Sequence, residues 1–133
     1  MKEIKHIYTA LALHPVAQKC EHVGISGIDD IYKEIGADVF DIAVRQIGHD
    51  PKRVYGIYVD DMGLLKRENY ISAYGDHNCF LVGDIVIAKH DLSGEMVSLT
   101  PDDIAYIKSF VFPAWVNDRV LLILRPISYP SYT

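Results

Sequence analysis

An α+β fold is the class this chain predicts: a mostly antiparallel twisted sheet of roughly five to seven strands with two short helices packed on one face. Three observations carry that expectation. Apolar residues alternate along short stretches, as in Ile7, Leu11 and Leu13 or Phe40, Ile42 and Val44, which is the period of a half-buried strand. Two other segments repeat isoleucine at helical spacing, Ile28, Ile31 and Ile35, then Ile104 and Ile107. Gly, Pro, Asn and Asp punctuate the chain between them.

Taken in order, a first strand runs from about Ile4 to Leu13 and is interrupted at His14-Pro15, because proline removes a ladder donor. Cys20 to Ile25 is expected to pair back as a hairpin. A short helix follows, with Ser26 as N-cap, Asp29 as its capping-box partner and Gly36 as the left-handed stop. Val39 to Ile47 and Arg53 to Val59 read as a strand pair around the turn Gly48-His49-Asp50-Pro51. The first of these is expected to bury Phe40, Ile42 and Val44. Asp60-Asp61-Met62-Gly63 turns the chain again, and Arg67 to Asn78 reads as a polar loop.

Phe80 to Ala88 is the best candidate for a central strand. Thr100-Pro101-Asp102-Asp103 is the clearest helix start: a capping hydroxyl, proline at the first helical position, and two acids facing the positive end of the dipole. Ile104, Ile107 and Val111 mark its buried stripe, and Pro113 is expected to end it. Arg119 to Leu124 reads as a last strand, and Pro126 to Thr133 as an extended arm.

The 133 residues suit one domain, half of them hydrophobic and 23% charged, close to globular averages. A net charge of -5 argues against general nucleic-acid binding, which needs a basic face. No apolar run reaches membrane-span length, and no secretion signal follows the N-terminal Met1-Lys2-Glu3-Ile4-Lys5. Two cysteines make no disulfide framework, so a reducing cytoplasm is expected.

The order of several short blocks resembles one known family. Asp41-Ile42-Ala43-Val44-Arg45-Gln46-Ile47-Gly48 is followed by Tyr58-Val59-Asp60-Asp61-Met62-Gly63-Leu64-Leu65-Lys66, Ser72-Ala73, Leu81-Val82-Gly83-Asp84 and Val97-Ser98-Leu99-Thr100. In that order they resemble the domain of unknown function 3846 family, found in phages and in mobile elements of gut bacteria. The resemblance covers residues 26–110. Met62 departs from it, standing where relatives often carry an acid. Residues 112–133 read as a C-terminal extension beyond the shared core. The resemblance implies a context and no chemistry: an accessory protein acting against host defence, in the cytoplasm of the bacterial host.

Four constellations bear on chemistry. Cys20/His22 and His77/Cys79 are nominally a zinc set, yet one intervening residue is short of the usual spacing, so buried cysteines beside surface histidines are expected and no metal. Asp60 and Asp61 read better as turn residues than as an acid pair. No Gly-x-Ser-x-Gly elbow or phosphate loop is present, so no catalytic residue and no cofactor is expected.

The fourth constellation is an anion pocket. Arg45, Tyr58, Arg67, Tyr70, Ser72 and Tyr74 combine guanidinium forks, which match phosphates, with rings on which a base can stack. A solvated face with Arg45 paired to Asp41 is the plainer alternative. The expected function is that of a non-catalytic binder sequestering a small nucleotide-type host immune signal. A homo-oligomer is expected, its interface supplied by Phe112 to Trp115 and the Tyr-rich tail. The alternatives are a module that inhibits a host defence protein directly and, behind it, a hydrolase of such a signal.

Overall fold

The structure, a computed structural model, describes residues 6–36, 40–60, 70–75, 80–116 and 118–128. The side chains of Ile28, Phe40, Asp41, Ala43, Val44, Arg45, Phe80, Ile127 and Ser128 are left aside. The fold is α+β with mostly antiparallel sheets and two helices.

The main sheet contains β1 (Tyr8–His14), β2 (Lys19–Ile25), β3 (Phe40–Ile47), β4 (Val54–Asp60), β7 (Ile85–His90) and β11 (Pro126–Ser128), in the order β11-β3-β4-β7-β1-β2. The short β8 (Met96–Val97) pairs with the end of β7. A second sheet has the order β6-β5-β10-β9, from β5 (Ile71–Tyr74), β6 (Phe80–Val82), β9 (Val111–Val116) and β10 (Arg119–Leu124). Its β5–β10 pair is parallel. The helices are α1 (Ile28–Ile35) and α2 (Pro101–Lys108).

Alternation along the strands divides the core. Leu11, Leu13, Ile57, Ile85 and Ile87 face α2 and the second sheet, where they join Ile107, Ala73 and Leu124. Ala10, Ala12, Tyr58, Val86 and Ala88 face α1 and pack on Ile31 and Ile35. The helices therefore lie against opposite faces of the main sheet, not on one face. Each apolar period is legible in the sequence; which face each helix covers depends on connections that periodicity does not encode.

Four local expectations are corrected. Phe80 to Ala88 is two strands in two sheets, because Gly83, at φ 84, turns the chain between them. Both halves are apolar since each is packed in its own sheet. Ile42 is 44% exposed, because α1 leaves its part of the sheet open. The α1 N-cap is Gly27, and Asp30, not Asp29, reaches back to accept from Ser26 N and Oγ at 2.8 Å. Finally, α2 ends at Lys108, and Pro113 sits inside β9 opposite Leu122. That strand is a sheet edge, where a missing N–H is tolerated.

Residues 112–128 are woven into the fold. β10 buries Leu121, Ile123 and Leu124, and β11 pairs with β3 through Pro126↔Ile47. Up to Ser128 the segment contributes strands to both sheets; residues 129–133 lie outside the described ones.

The start of α2 is as the sequence predicts, and it does more than cap. Thr100 and Asp103 form the reciprocal capping box. The Asp103 carboxylate, 5% exposed, also accepts from Lys89 Nζ at 3.0 Å, Tyr55 Oη at 2.9 Å and Arg53 Nη1 at 3.2 Å. Arg53 in turn pairs with Asp50 and Asp102 and lies 4.4 Å from the centre of the Tyr106 ring. Burial pushes the Asp103 carboxyl up, but hydrogen bonds from Thr100, Lys89 and Tyr55 outweigh it and hold the group at about 2. Burial, with Asp103 beside it, takes Tyr55 up to about 12 against the opposing Arg53.

Candidate functional site

One face of the second sheet gathers arginine and tyrosine at its ends. Tyr70 precedes β5 and Tyr74 ends it. Arg119 opens β10, and Arg125 follows its last residue. The parallel pairing of β5 with β10, through Ala73↔Leu124, brings the two sets side by side. Arg119 Cζ lies 4.8 Å from the centre of the Tyr70 ring, and Arg125 Cζ 5.7 Å from that of Tyr74. Phe112 meets the Tyr74 ring in an edge arrangement, with the ring centres 6.2 Å apart.

Arg119 and Arg125 are an even number of residues apart and share a face with Leu121 and Ile123. Those two are fully buried, so the guanidinium groups stand at the two ends of a buried apolar strip. Six strand residues span about 20 Å, and Ser72, Leu121 and Ile123 are fully buried between the two ends, so the two pairs are separate positions. Both arginines are exposed, and among the described residues no carboxylate pairs with either. A guanidinium held over a ring face by the ring's quadrupole spends none of its N–H groups on a hydrogen bond. That leaves them available to fork a phosphate or carboxylate, and the free side of the guanidinium can take a planar base.

The residues expected from sequence are distributed as follows. Tyr70 and Tyr74 belong to this face. Ser72 lies between them on the same strand but is fully buried, its hydroxyl donating to Leu81 O at 3.1 Å. Tyr58 is in the main sheet, 4% exposed, with its hydroxyl 2.7 Å from His90 Nε2. Burial pushes that phenol up. The structure therefore does not bring Tyr58 together with Tyr70 and Tyr74. Arg45 pairs in register with Tyr55 and Ser128; its side chain, like the whole of Arg67, lies outside the described residues.

Sequence reasoning misses Arg119 and Arg125. They lie far along the chain from their rings, in the segment read as an extension, and only the parallel β5–β10 pairing joins them. An Arg at each end of an apolar strand, in a chain rich in tyrosine, is the available signal.

For metals, among the described residues no group of three or more His, Cys, Asp and Glu is placed to hold an ion. Cys20 is a half-buried thiol pushed up by burial; His77, Cys79 and the Asp61–Gly63 part of the acidic turn lie outside the described residues. No described helix is long and apolar enough to cross a membrane. Compared with known proteins, the chain matches no family model, no curated protein and no solved structure.

Proposed function

We propose that this protein is a non-catalytic binder that sequesters a phosphate-bearing, nucleotide-type ligand at the arginine–tyrosine pairs of its second sheet. One observation carries the reading: two exposed guanidinium groups, Arg119 and Arg125, held over the rings of Tyr70 and Tyr74 with no carboxylate partner among the described residues. In a chain of net charge -5, such preorganised cations favour an anion. Each pair offers a phosphate fork and a stacking surface. A nucleotide engages one pair at a time, because the strip between the two is fully buried.

The resemblance of residues 26–110 to the domain of unknown function 3846 family supplies the biological setting of this proposal. There the ligand is a nucleotide-derived signal of host immunity, and the protein a phage or mobile-element accessory factor. Thermal-shift and calorimetric titration with cyclic dinucleotides and ADP-ribose derivatives tests the reading. Binding at micromolar Kd, near -8 kcal/mol, with the compound recovered intact, is the expected result. No binding by any of them contradicts it, and a cleaved product favours the hydrolase reading.

A second reading, direct contact with a host defence protein, is favoured by Trp115. This indole is 77% exposed on the edge strand β9, and a tryptophan is a frequent anchor of protein interfaces. If that reading holds, Trp115→Ser weakens a defined protein partner by about 2 kcal/mol and leaves nucleotide binding unchanged.

A further inference from the structure

The open edges of the two sheets differ in what they can pair with. The second sheet ends on β9. There Arg125 N donates to Phe110 O at 3.0 Å, so even-numbered residues of this strand face β10 and Pro113 turns its nitrogen to the free edge. A proline in that place blunts the edge. β6 and β11 are only three residues each. β2 is the long edge of the main sheet: seven residues without proline, in unbroken register with β1.

The direction of its backbone groups follows from β1. Thr9 N donates to Ser98 Oγ and Thr9 O accepts from Leu99 N, both at 2.9 Å. Odd-numbered residues of β1 therefore point away from β2, and the even-numbered ones bond to Lys19, Glu21, Val23 and Ile25. By alternation, the N–H and C=O groups of Cys20, His22 and Gly24 form a row along the free edge. Among the described residues no backbone hydrogen bond reaches that row.

We propose that this edge pairs with the same edge of a second copy of the chain, antiparallel about a two-fold axis at His22. Centring the pair on Glu21 sets two carboxylates directly opposite, which is unfavourable. Centring it on Cys20, Val23 or Gly24 leaves part of the strand unpaired. Centred on His22, the whole strand pairs: His22 meets its own copy and Cys20 meets Gly24 of the second copy, each pair exchanging both N–H···O bonds. Lys19 then lies beside Ile25 and Glu21 beside Val23 of the second copy, so neither two lysines nor two carboxylates meet. One lysine and one glutamate leave the strand locally neutral, although the chain carries -5. Ile7 supports the same register. It is 70% exposed, and its Cγ2 would lie 2.8 Å from a Cβ at Gly24, so its side chain covers that glycine. In the pair, Gly24 faces Cys20 of the second copy, which gives this exposed apolar side chain a neighbour at each end of the interface.

The test is sedimentation of the full chain from about 10 µM to about 1 mM, with amide hydrogen exchange at both concentrations. A reversible dimer is expected, with the Cys20, His22 and Gly24 amides exchanging at least about threefold more slowly in the concentrated sample. His22→Pro removes an outward donor and no β1–β2 bond, so it is expected to fold and to weaken the dimer at least about tenfold. Trp115→Ser, on the other sheet's edge, is expected to dimerise like the native chain. A monomer throughout overturns the proposal and leaves the edge to a strand of another protein. A dimer lost in Trp115→Ser and kept in His22→Pro overturns it as well. Should His22→Pro fail to fold, hydrogen exchange decides: protection at those alternate amides supports the proposal, and a dimer without it overturns it.

Discussion

Asp103→Ala is expected to destabilise the fold by about 3–5 kcal/mol, the cost of breaking a buried ion pair and leaving its partners uncompensated. Five donor groups converge on this carboxylate: Lys89 Nζ, Arg53 Nη1, Tyr55 Oη, Thr100 N and Thr100 Oγ1. They come from β4, from β7, from the residue before β4 and from the α2 cap. One side chain thus joins the helix start to the centre of the main sheet. Urea unfolding of native and variant protein checks the value, with the slope confirming that both lose the same surface.

The same group has a pH signature. Its folded value, about 2, is below the ordinary 3.8. The stability it contributes is therefore present above 3.8 and lost as pH falls through about 2. The difference corresponds to about 2 kcal/mol. Asp103→Asn is expected to lack that component of acid destabilisation while keeping the others.

Gly48→Ala is the second large effect, about 2–4 kcal/mol, from two additive causes. Gly48 has φ +74, a left-handed conformation that costs a residue with a Cβ about 1 kcal/mol or more. The added carbon would also overlap Phe110 Cζ and Tyr106 Oη, and forcing rings aside in a packed region costs about 1–3 kcal/mol. These rings clasp the far end of α2: Tyr106 Oη donates to Ile47 O at 2.6 Å and its ring lies 5.3 Å from that of Phe110. Thermal unfolding reads the loss as a lowered Tm, by several degrees per kcal/mol for a chain of this size. Gly94→Ala, also at positive φ but with open space around it, isolates the backbone cost alone and is expected to lose about 1 kcal/mol.

What is legible in the sequence is what depends on near neighbours. Thr100, Pro101 and Asp103 specify the start of α2 within four positions, and the structure has each in the expected place. Gly36 stops α1 at φ 61. The β1–β2 hairpin pairs in full register from Tyr8↔Ile25 to His14↔Lys19, because both strands and their turn are contiguous. Distant partners are not legible. An apolar run such as Phe80 to Ala88 looks the same whether one sheet buries it or two. Ile42 has the alternation of a core residue, yet its exposure is decided by how far α1 reaches.

The candidate site shows the same limit. Residue type and neighbourhood in the chain identify Tyr70 and Tyr74. The same reasoning names Arg45 and Arg67, whose side chains lie outside the described residues, and misses Arg119 and Arg125, which lie over the two rings from the ends of β10. Ser72 and Tyr58 have the right chemistry in the wrong surroundings, since one is fully buried and the other has its hydroxyl committed to His90. Burial, more than residue type, separates a ligand contact from a core polar group.

The central claim is that the two arginine–tyrosine pairs hold the ligand. Calorimetric titration of the tightest-binding nucleotide compound into native protein and into the Arg119→Ala/Arg125→Ala double variant tests it most directly. Each lost charge-assisted contact is worth about 1.5 kcal/mol, so affinity at each pair is predicted to fall about tenfold. The loss should shrink as salt screens the charges. Equal affinity in native protein and double variant, with both folded, would contradict the account.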